Sequence, residues 1–171
     1  VHLMLVQRAI LFATEAHQGQ TRKYTGEPYI VHPLEVMEIV KTVPHTPEML
    51  AAAVLHDVVE DTDATLSDIW NEFGYKVRQL VADLTDISVP SDGNRKARKH
   101  LDLIHTAKAL PQSKTVKLAD LISNSKSITE HDPKFAKVYM KEKAALLKVL
   151  TEGDPTLYAR AKKIVDDYYS I

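Results

Sequence analysis

Apolar residues in this sequence recur three and four positions apart, within segments that prolines and glycines separate. The first segment shows the pattern, with an apolar stripe formed by Leu5, Ala9, Phe12, Ala13 and Ala16. This spacing matches the 3.6-residue repeat of an α-helix, and no run alternates apolar and polar residues as a half-buried strand does. The sequence therefore predicts an all-α protein, with residues 1–171 forming a single compact domain of about eight to ten helices.

One helix is predicted to be central. Residues 49–55 are apolar on nearly every side, which is typical of a helix buried all round. Thr46 and Pro47 precede this run as an N-cap and a first helical residue. By the same reasoning His32-Pro33 predicts another helix start, with Pro33 in the first helical position.

Composition excludes several classes of site and partner. The net charge is −1, from 22 Lys and Arg against 23 Asp and Glu, so no overall positive field exists to hold nucleic acid or an anionic membrane. The absence of cysteine excludes a disulfide scaffold, a thiolate metal site and a cysteine nucleophile. The longest apolar run is far shorter than the roughly 20 residues that span a bilayer, and the N-terminus lacks a signal-peptide pattern. We therefore expect a cytoplasmic protein that binds neither nucleic acid nor membrane.

Polar residues interrupt apolar surroundings at three points: His32, the pair His56-Asp57 that ends the central helix, and Asp120. A buried charge is costly unless it is paired or bound to a metal. Two imidazoles and two carboxylates would make a first shell for a divalent ion, and Mn²⁺, Fe²⁺, Co²⁺ or Zn²⁺ suits mixed nitrogen and oxygen ligands. Each of these residues alone could also be a helix cap or a hydrogen-bond partner. The prediction of a metal site therefore depends on all three positions together.

Further candidates lie close to these positions in sequence. Glu60 and Asp61 follow about one helical turn after His56-Asp57. Lys117 and Asn124 are spaced to share a helix face with Asp120. Solvated acidic caps or a solvated face remain the alternative interpretation of both groups.

Two basic clusters could hold phosphate, since arginine offers a fork of donors that matches phosphate oxygens. Arg22 and Lys23 precede His32, and Arg95 and Lys96 open a predicted helix after residues 93–94. An exposed loop pair and a solvated helix face are the alternatives.

The spacing of these residues resembles the H…HD…D signature of the HD superfamily of metal-dependent phosphohydrolases. The segments RKYTGEPYIVHP (22–33), AAAVLHDVVEDT (51–62) and VKLAD (116–120) resemble the hydrolase domain of the RelA/SpoT proteins more specifically. AHQGQ (16–20) and FG (73–74) fit the same family, and the likeness runs from about residue 5 to residue 150. Because no synthetase, TGS or ACT segment follows in these residues, the sequence is similar to the small stand-alone alarmone hydrolases.

This resemblance implies a helical HD-domain bundle and an activity. The activity is Mn²⁺-dependent removal of the 3′-pyrophosphate of (p)ppGpp, which gives GDP or GTP plus pyrophosphate and ends the stringent response. The implied metal ligands are His32, His56, Asp57 and Asp120. Glu60 and Asp61 match the catalytic pair that positions and deprotonates the attacking water. The resemblance places Arg22 and Lys23 near the nucleotide and Asn124 on the substrate side of the last ligand helix. The charge and position of Lys117, Arg95 and Lys96 add these residues to those expected to bind the nucleotide substrate.

The sequence departs from the family at Leu121 and Ser123, which replace a basic and an aromatic residue. The preference for guanine or adenine is therefore open. Hydrolysis of a ppApp-type alarmone or of the 2′-phosphate of NADPH is one alternative, and a catalytically silent alarmone-binding module is another. The intact pair Glu60-Asp61 argues against the silent module. The sequence is compatible with a monomer and with a homo-oligomer.

Overall fold

The computed structural model describes residues 2–170 of the chain, and side chains from residue 4 onward. These residues form nine α-helices and no strand; one isolated antiparallel bridge joins Thr21 and Pro28. The all-α prediction is confirmed. The helices are α1 (His2–Ala16), α2 (Val31–Val40), α3 (Pro47–Leu55), α4 (Val58–Asp61), α5 (Leu66–Leu84), α6 (Arg95–Ala107), α7 (Pro111–His131), α8 (Pro133–Leu147) and α9 (Pro155–Tyr169).

The helices fall into two compact units, one ending at Thr85 and the other beginning at Asp86. Unit 1 holds α1 to α5, and unit 2 holds α6 to α9 with a short 3₁₀ turn, Pro90–Asp92, before them. The assignment of the whole chain to a single domain stays a prediction. Among the described helices none is both long and apolar enough to span a membrane.

The central helix of unit 1 is α3, as predicted. It packs against α1, α2 and α5, and every residue from 49 to 55 is buried. The Thr46 hydroxyl accepts a hydrogen bond from the Met49 amide, and Pro47 is the first helical residue. This cap satisfies one of the amides that a helix start leaves without an intrahelical acceptor. Local sequence and burial thus fix where α3 begins and which chain segments surround it.

The start of α2 differs from the prediction. The helix begins at Val31, so Pro33 is its third residue and not its first. Proline is tolerated there because the first four amides of any helix lack an intrahelical acceptor. The earlier start places His32 within the first turn, where its side chain is 2% exposed.

The sequence pattern from Thr65 to Asp68 predicts a capping box at the start of a helix, and α5 begins there. Thr65 and Asp68 form the predicted capping box, each side chain accepting from the other residue's amide. Gly74 has φ 87° and ψ 178°, a conformation essentially restricted to glycine, and it kinks the chain between two helical segments. The sequence predicts that Gly74 ends the first segment, and the structure agrees, although the two segments follow each other directly.

Unit 2 is built around α7, which packs against α8 and α9. Prolines open all three helices, and Asp132 and Asp154 cap α8 and α9 through their side chains. Leu118 and Leu121 on the buried side of α7 belong to the core. This burial fixes the rotation of α7 and hence the face on which its polar residues lie.

Candidate metal centre

Three of the predicted ligands meet in unit 1. His56 and Asp57 follow the last residue of α3, and His32 lies in the first turn of α2. The Oδ2 atom of Asp57 lies 3.0 Å from Nε2 of His56 and 3.8 Å from Nε2 of His32. One ligand atom from each residue lies within 4.8 Å of the others, so the three could hold a metal ion.

The tautomer of His56 can be assigned from its partner. Its Nδ1 lies 2.6 Å from the carbonyl oxygen of Ala53, and because a carbonyl only accepts, Nδ1 must carry the hydrogen. In the neutral ring Nε2 then has a lone pair directed at a carboxylate oxygen. Two lone pairs at that distance repel unless a cation, either a proton or a metal ion, lies with them. Donation from Nδ1 to a backbone carbonyl is also the usual way in which proteins orient metal-binding histidines.

Tyr29 orients the carboxylate of Asp57. Its hydroxyl donates to Oδ2 of Asp57 over 2.6 Å, and its ring centroid lies 6.0 Å from that of His32. Tyr29 is not among the site residues predicted from the sequence. Its position three residues before His32, inside the segment that resembles the family, is the signal that could have found it.

The acidic pair lies on α4, a helix of four residues that the sequence analysis did not predict. Glu60 and Asp61 keep solvent access there. Partial loss of hydration, and then repulsion from Asp57, raises the pKa of the Asp61 carboxyl above its ordinary value, while His17, His56 and a hydrogen bond with Tyr29 oppose the shift. A raised pKa makes this carboxylate a stronger base than a solvated aspartate.

Arg22 and Lys23 lie in the turn between α1 and α2. The Arg22 amide donates to the Glu27 carbonyl over 2.8 Å, and the Gly26 amide donates to the Arg22 carbonyl over 3.0 Å. Lys23 is exposed, with its ammonium 5.4 Å from the centroid of the Tyr24 ring. Their binding to substrate stays a prediction.

In unit 2, α7 carries Lys117, Asp120 and Asn124 on one face, as predicted. The Asn124 amide donates to Oδ1 of Asp120 over 3.1 Å, and Lys117 Nζ lies 3.9 Å from Oδ2 of Asp120. Asp120 is 9% exposed. Its role as a fourth metal ligand, and the role of Asn124 beside the substrate, stay predictions.

A cavity of about 1000 Å³ lies in unit 2 among α6, α7 and α8, and the predicted residues Arg95, Lys96 and Lys117 line it. Lys99 and Lys143 line it as well, and Lys143 is not among the site residues predicted from the sequence. Burial, and then repulsion from Lys117 and Lys99, lowers the pKa of the Lys143 ammonium to about 8. Crowding of like charges around a cavity favours an anionic ligand.

Comparison with known proteins shows the family of this chain. The profile of the HD domain matches residues 9–150. The chain belongs to the HD-domain family. It is 38% identical over 125 residues to the human guanosine-3′,5′-bis(diphosphate) 3′-pyrophosphohydrolase MESH1, covering 71% of this chain and 68% of MESH1. It is 36% identical over 126 residues to the bifunctional (p)ppGpp synthase/hydrolase SpoT of Escherichia coli, covering 72% of this chain and 18% of SpoT.

The HD-domain fold is confirmed by a solved structure. That structure is of a metazoan ortholog of SpoT, described as hydrolyzing ppGpp and having a role in starvation responses. It superposes with a TM-score of 0.85 at 28% identity, covering 96% of this chain and 95% of the other. This chain spans less than a fifth of the length of bacterial relatives such as SpoT, so those relatives contain much more than this HD domain.

Tyr29→Phe removes the hydroxyl that holds Asp57 while keeping the ring. We expect the affinity for Mn²⁺ to fall about tenfold or more, because loss of a residue that orients a ligand typically has this effect. Isothermal titration of the metal-free protein measures the change. Tyr75→Phe is a matched control, since Tyr75 is 56% exposed in the same unit; equal affinities for the two variants would contradict the role of Tyr29.

The cavity of unit 2 should bind anions less tightly as the pH rises through about 8, because Lys143 loses its charge there. Titration with inorganic sulfate between pH 6.5 and 9.5 tests this, because the charge of sulfate is constant over that range. Lys143→Arg should keep the binding nearly independent of pH, since a guanidinium stays protonated across the range. A fall of the same size in the arginine variant would show that Lys143 is not the group responsible.

Proposed function

We propose that this HD-domain protein hydrolyses the 3′-pyrophosphate of (p)ppGpp, giving GDP or GTP and pyrophosphate. The observation that carries the proposal is the cluster of the buried His32 and His56 with the partly buried Asp57, followed by two acidic side chains in the next helical turn. The names and activities of MESH1 and SpoT support the same substrate.

We propose Mn²⁺ as the metal, held by His32, His56, Asp57 and Asp120. Two imidazoles and two carboxylates without a thiolate suit a borderline-hard divalent ion. Such an ion lowers the pKa of a bound water and neutralises charge that develops on phosphate oxygens. The inclusion of Asp120 rests on the family resemblance, while the other three rest on the geometry of unit 1 as well.

The remaining chemistry falls to protein side chains. Asp61 accepts the proton of the attacking water, which the upward shift of its pKa favours. Glu60, the neighbour of Asp61 on α4, shares in positioning that water. Tyr29 holds Asp57 in one orientation, so the carboxylate does not rotate during the reaction.

For substrate binding we propose Arg22 and Lys23 in unit 1, and Lys117, Arg95 and Lys96 on the cavity of unit 2. Arg95 is hydrogen-bonded through two of its nitrogens to the Glu142 carboxylate, so its charge is partly compensated, and we expect Lys96 and Lys117 to contribute more. Asn124 completes the set as a neutral donor. A nucleotide substrate and a cytoplasmic location are parts of this proposal.

Incubation of the Mn²⁺-loaded protein with ppGpp, pppGpp, ppApp and NADPH tests the substrate directly. Chromatography should show GDP and pyrophosphate from ppGpp, and GTP and pyrophosphate from pppGpp. Release of phosphate from NADPH as the dominant reaction would replace the proposal by a 2′-phosphatase, and pyrophosphate from ppApp alone would move the specificity to adenine. Binding of ppGpp without turnover would identify a silent module.

Two variants should separate metal binding from proton transfer. Asp57→Ala should lose both bound Mn²⁺ and turnover, because it removes a ligand. Asp61→Asn should keep the metal and lower kcat by about 10²- to 10⁴-fold, the usual effect of losing a general acid or base. Metal analysis and steady-state kinetics measure the two properties, and Glu35→Gln, at an exposed position of α2, is the control. Full activity of Asp57→Ala at equal metal content would refute the assignment.

A further inference from the structure

His17 lies beside the site of unit 1 and has no role so far. It follows the last residue of α1, and its amide donates to the Ala13 carbonyl over 2.9 Å. Its side chain is buried, at 3% exposure. It belongs to the AHQGQ segment, residues 16–20, that resembles the family without an assigned function.

Hydrogen bonds connect His17 to the acidic pair through Gln20. Gln20 Nε2 donates to the carbonyl oxygen of Asp61 over 2.8 Å, which orients Oε1 of the amide as the acceptor for His17. His17 Nδ1 lies 2.9 Å from that oxygen and therefore carries the hydrogen. Main-chain hydrogen bonds hold Gln20, the middle residue of this hydrogen-bonded series, in place. The main-chain N–H of Gln20 donates to the His17 carbonyl, and the main-chain carbonyl of Gln20 accepts from the N–H of Tyr29.

A second contact runs from His17 to the metal cluster. The His17 ring packs against the Tyr29 ring, with centroids 4.7 Å apart, and the Tyr29 hydroxyl holds Asp57. His17 Nε2 is buried and has no hydrogen-bond partner within the described side chains. Buried polar atoms in native proteins rarely lack a hydrogen-bond partner, because this costs free energy of folding. A histidine at this position therefore indicates a role beyond packing.

The acidic helix needs such external support. Helix α4 has only four residues, and a single turn does not form stably by itself because helix nucleation is unfavourable. The position of Asp61 therefore depends on contacts from other segments. The hydrogen bond from Gln20 is one such contact, and it joins residues 41 positions apart.

We propose that His17 is a positioning residue for the hydrolysis proposed above: acting through Gln20, its Nδ1–H fixes the main chain at Asp61 and so the place of the catalytic carboxylate. The inference rests on the proposed function, and it assigns a role to a residue outside the proposed metal ligands and the proposed substrate-binding residues. The ring of His17 supports Tyr29 independently of this hydrogen bond. Replacement by phenylalanine separates the two contacts, because it keeps a ring and removes both nitrogens.

The experiment is a double-mutant cycle of His17→Phe and Gln20→Leu in the Mn²⁺-loaded protein, with ppGpp as substrate. Each single variant should lower kcat by about 10- to 100-fold, the range expected from a small misplacement of a catalytic group. KM and Mn²⁺ affinity should change less than about twofold, because Tyr29 and the ligands are untouched. The double variant should be no slower than the slower single variant, since both changes break one chain.

Two further variants sharpen the result. His17→Asn restores a donor near the place of Nδ1 and should recover part of kcat. His45→Phe is the matched control: its Nδ1 lies 2.8 Å from the Val43 carbonyl oxygen in the same unit, and kcat should stay unchanged. Amide hydrogen exchange of residues 58–62 should be faster in His17→Phe and Gln20→Leu than in the control, which is a readout independent of turnover.

Several outcomes would overturn the inference. They are a normal kcat in His17→Phe, multiplicative losses in the double variant, or a loss of kcat that parallels a loss of metal affinity or of thermal stability. In each of these cases hydrolysis of ppGpp by the parent protein leaves the proposed function standing. A parent protein that hydrolyses none of the nucleotides refutes the proposed function, and the positioning role with it.

Discussion

The complete burial of α3 is the constraint on which the site of unit 1 depends. Because residues 49–55 are all buried, the chain leaves this helix inside the protein, and His56, the next residue, is only 3% exposed. An imidazole in that place must find its partners within the protein. The Ala53 carbonyl satisfies Nδ1, and the remaining nitrogen faces Asp57 at a distance that suits a shared cation. The fold thus creates the demand for a cation before any metal binds.

The turn between α1 and α2 supports this arrangement from one side. Its ends are joined by the bridge between Thr21 and Pro28, which limits how far the segment can move. Gln20 before the bridge reaches the main chain of Asp61, and Tyr29 after it reaches the carboxylate of Asp57. One irregular segment therefore holds both the acidic helix and a metal ligand. Loss of its geometry would affect the two together.

Local signals explain which parts of the fold were predictable. Thr46-Pro47 and the capping box from Thr65 to Asp68 act within one turn, so the sequence alone shows them. Helix α4 could not be predicted from the sequence because four residues are too few to display a helical repeat. The position of Pro33 as the third residue of α2 could not be predicted from the sequence, because proline is acceptable at several positions of a first turn.

Some residues of the candidate site could likewise be predicted from the sequence, and others could not. His32, His56 and Asp57 could be predicted because polar residues in apolar surroundings are visible in a sequence. The hydroxyl of Tyr29 and the chain from His17 through Gln20 act between segments far apart in sequence, and such hydrogen bonds leave no periodic pattern. For this reason the supporting residues emerge only from the coordinates.

The cavity of unit 2 shows why net charge describes a binding surface poorly. The chain as a whole carries −1, and three acidic residues line this cavity. Two of them accept hydrogen bonds from the protein: Asp102 from the amides of Ile87 and Ser88, and Glu142 from Arg95. The lysines are not balanced to the same degree, since repulsion between them contributes to the lowered pKa of Lys143. A ligand that enters this cavity therefore meets a positive field that the hydrogen-bond pattern sets, and an anion would relieve the repulsion among the lysines.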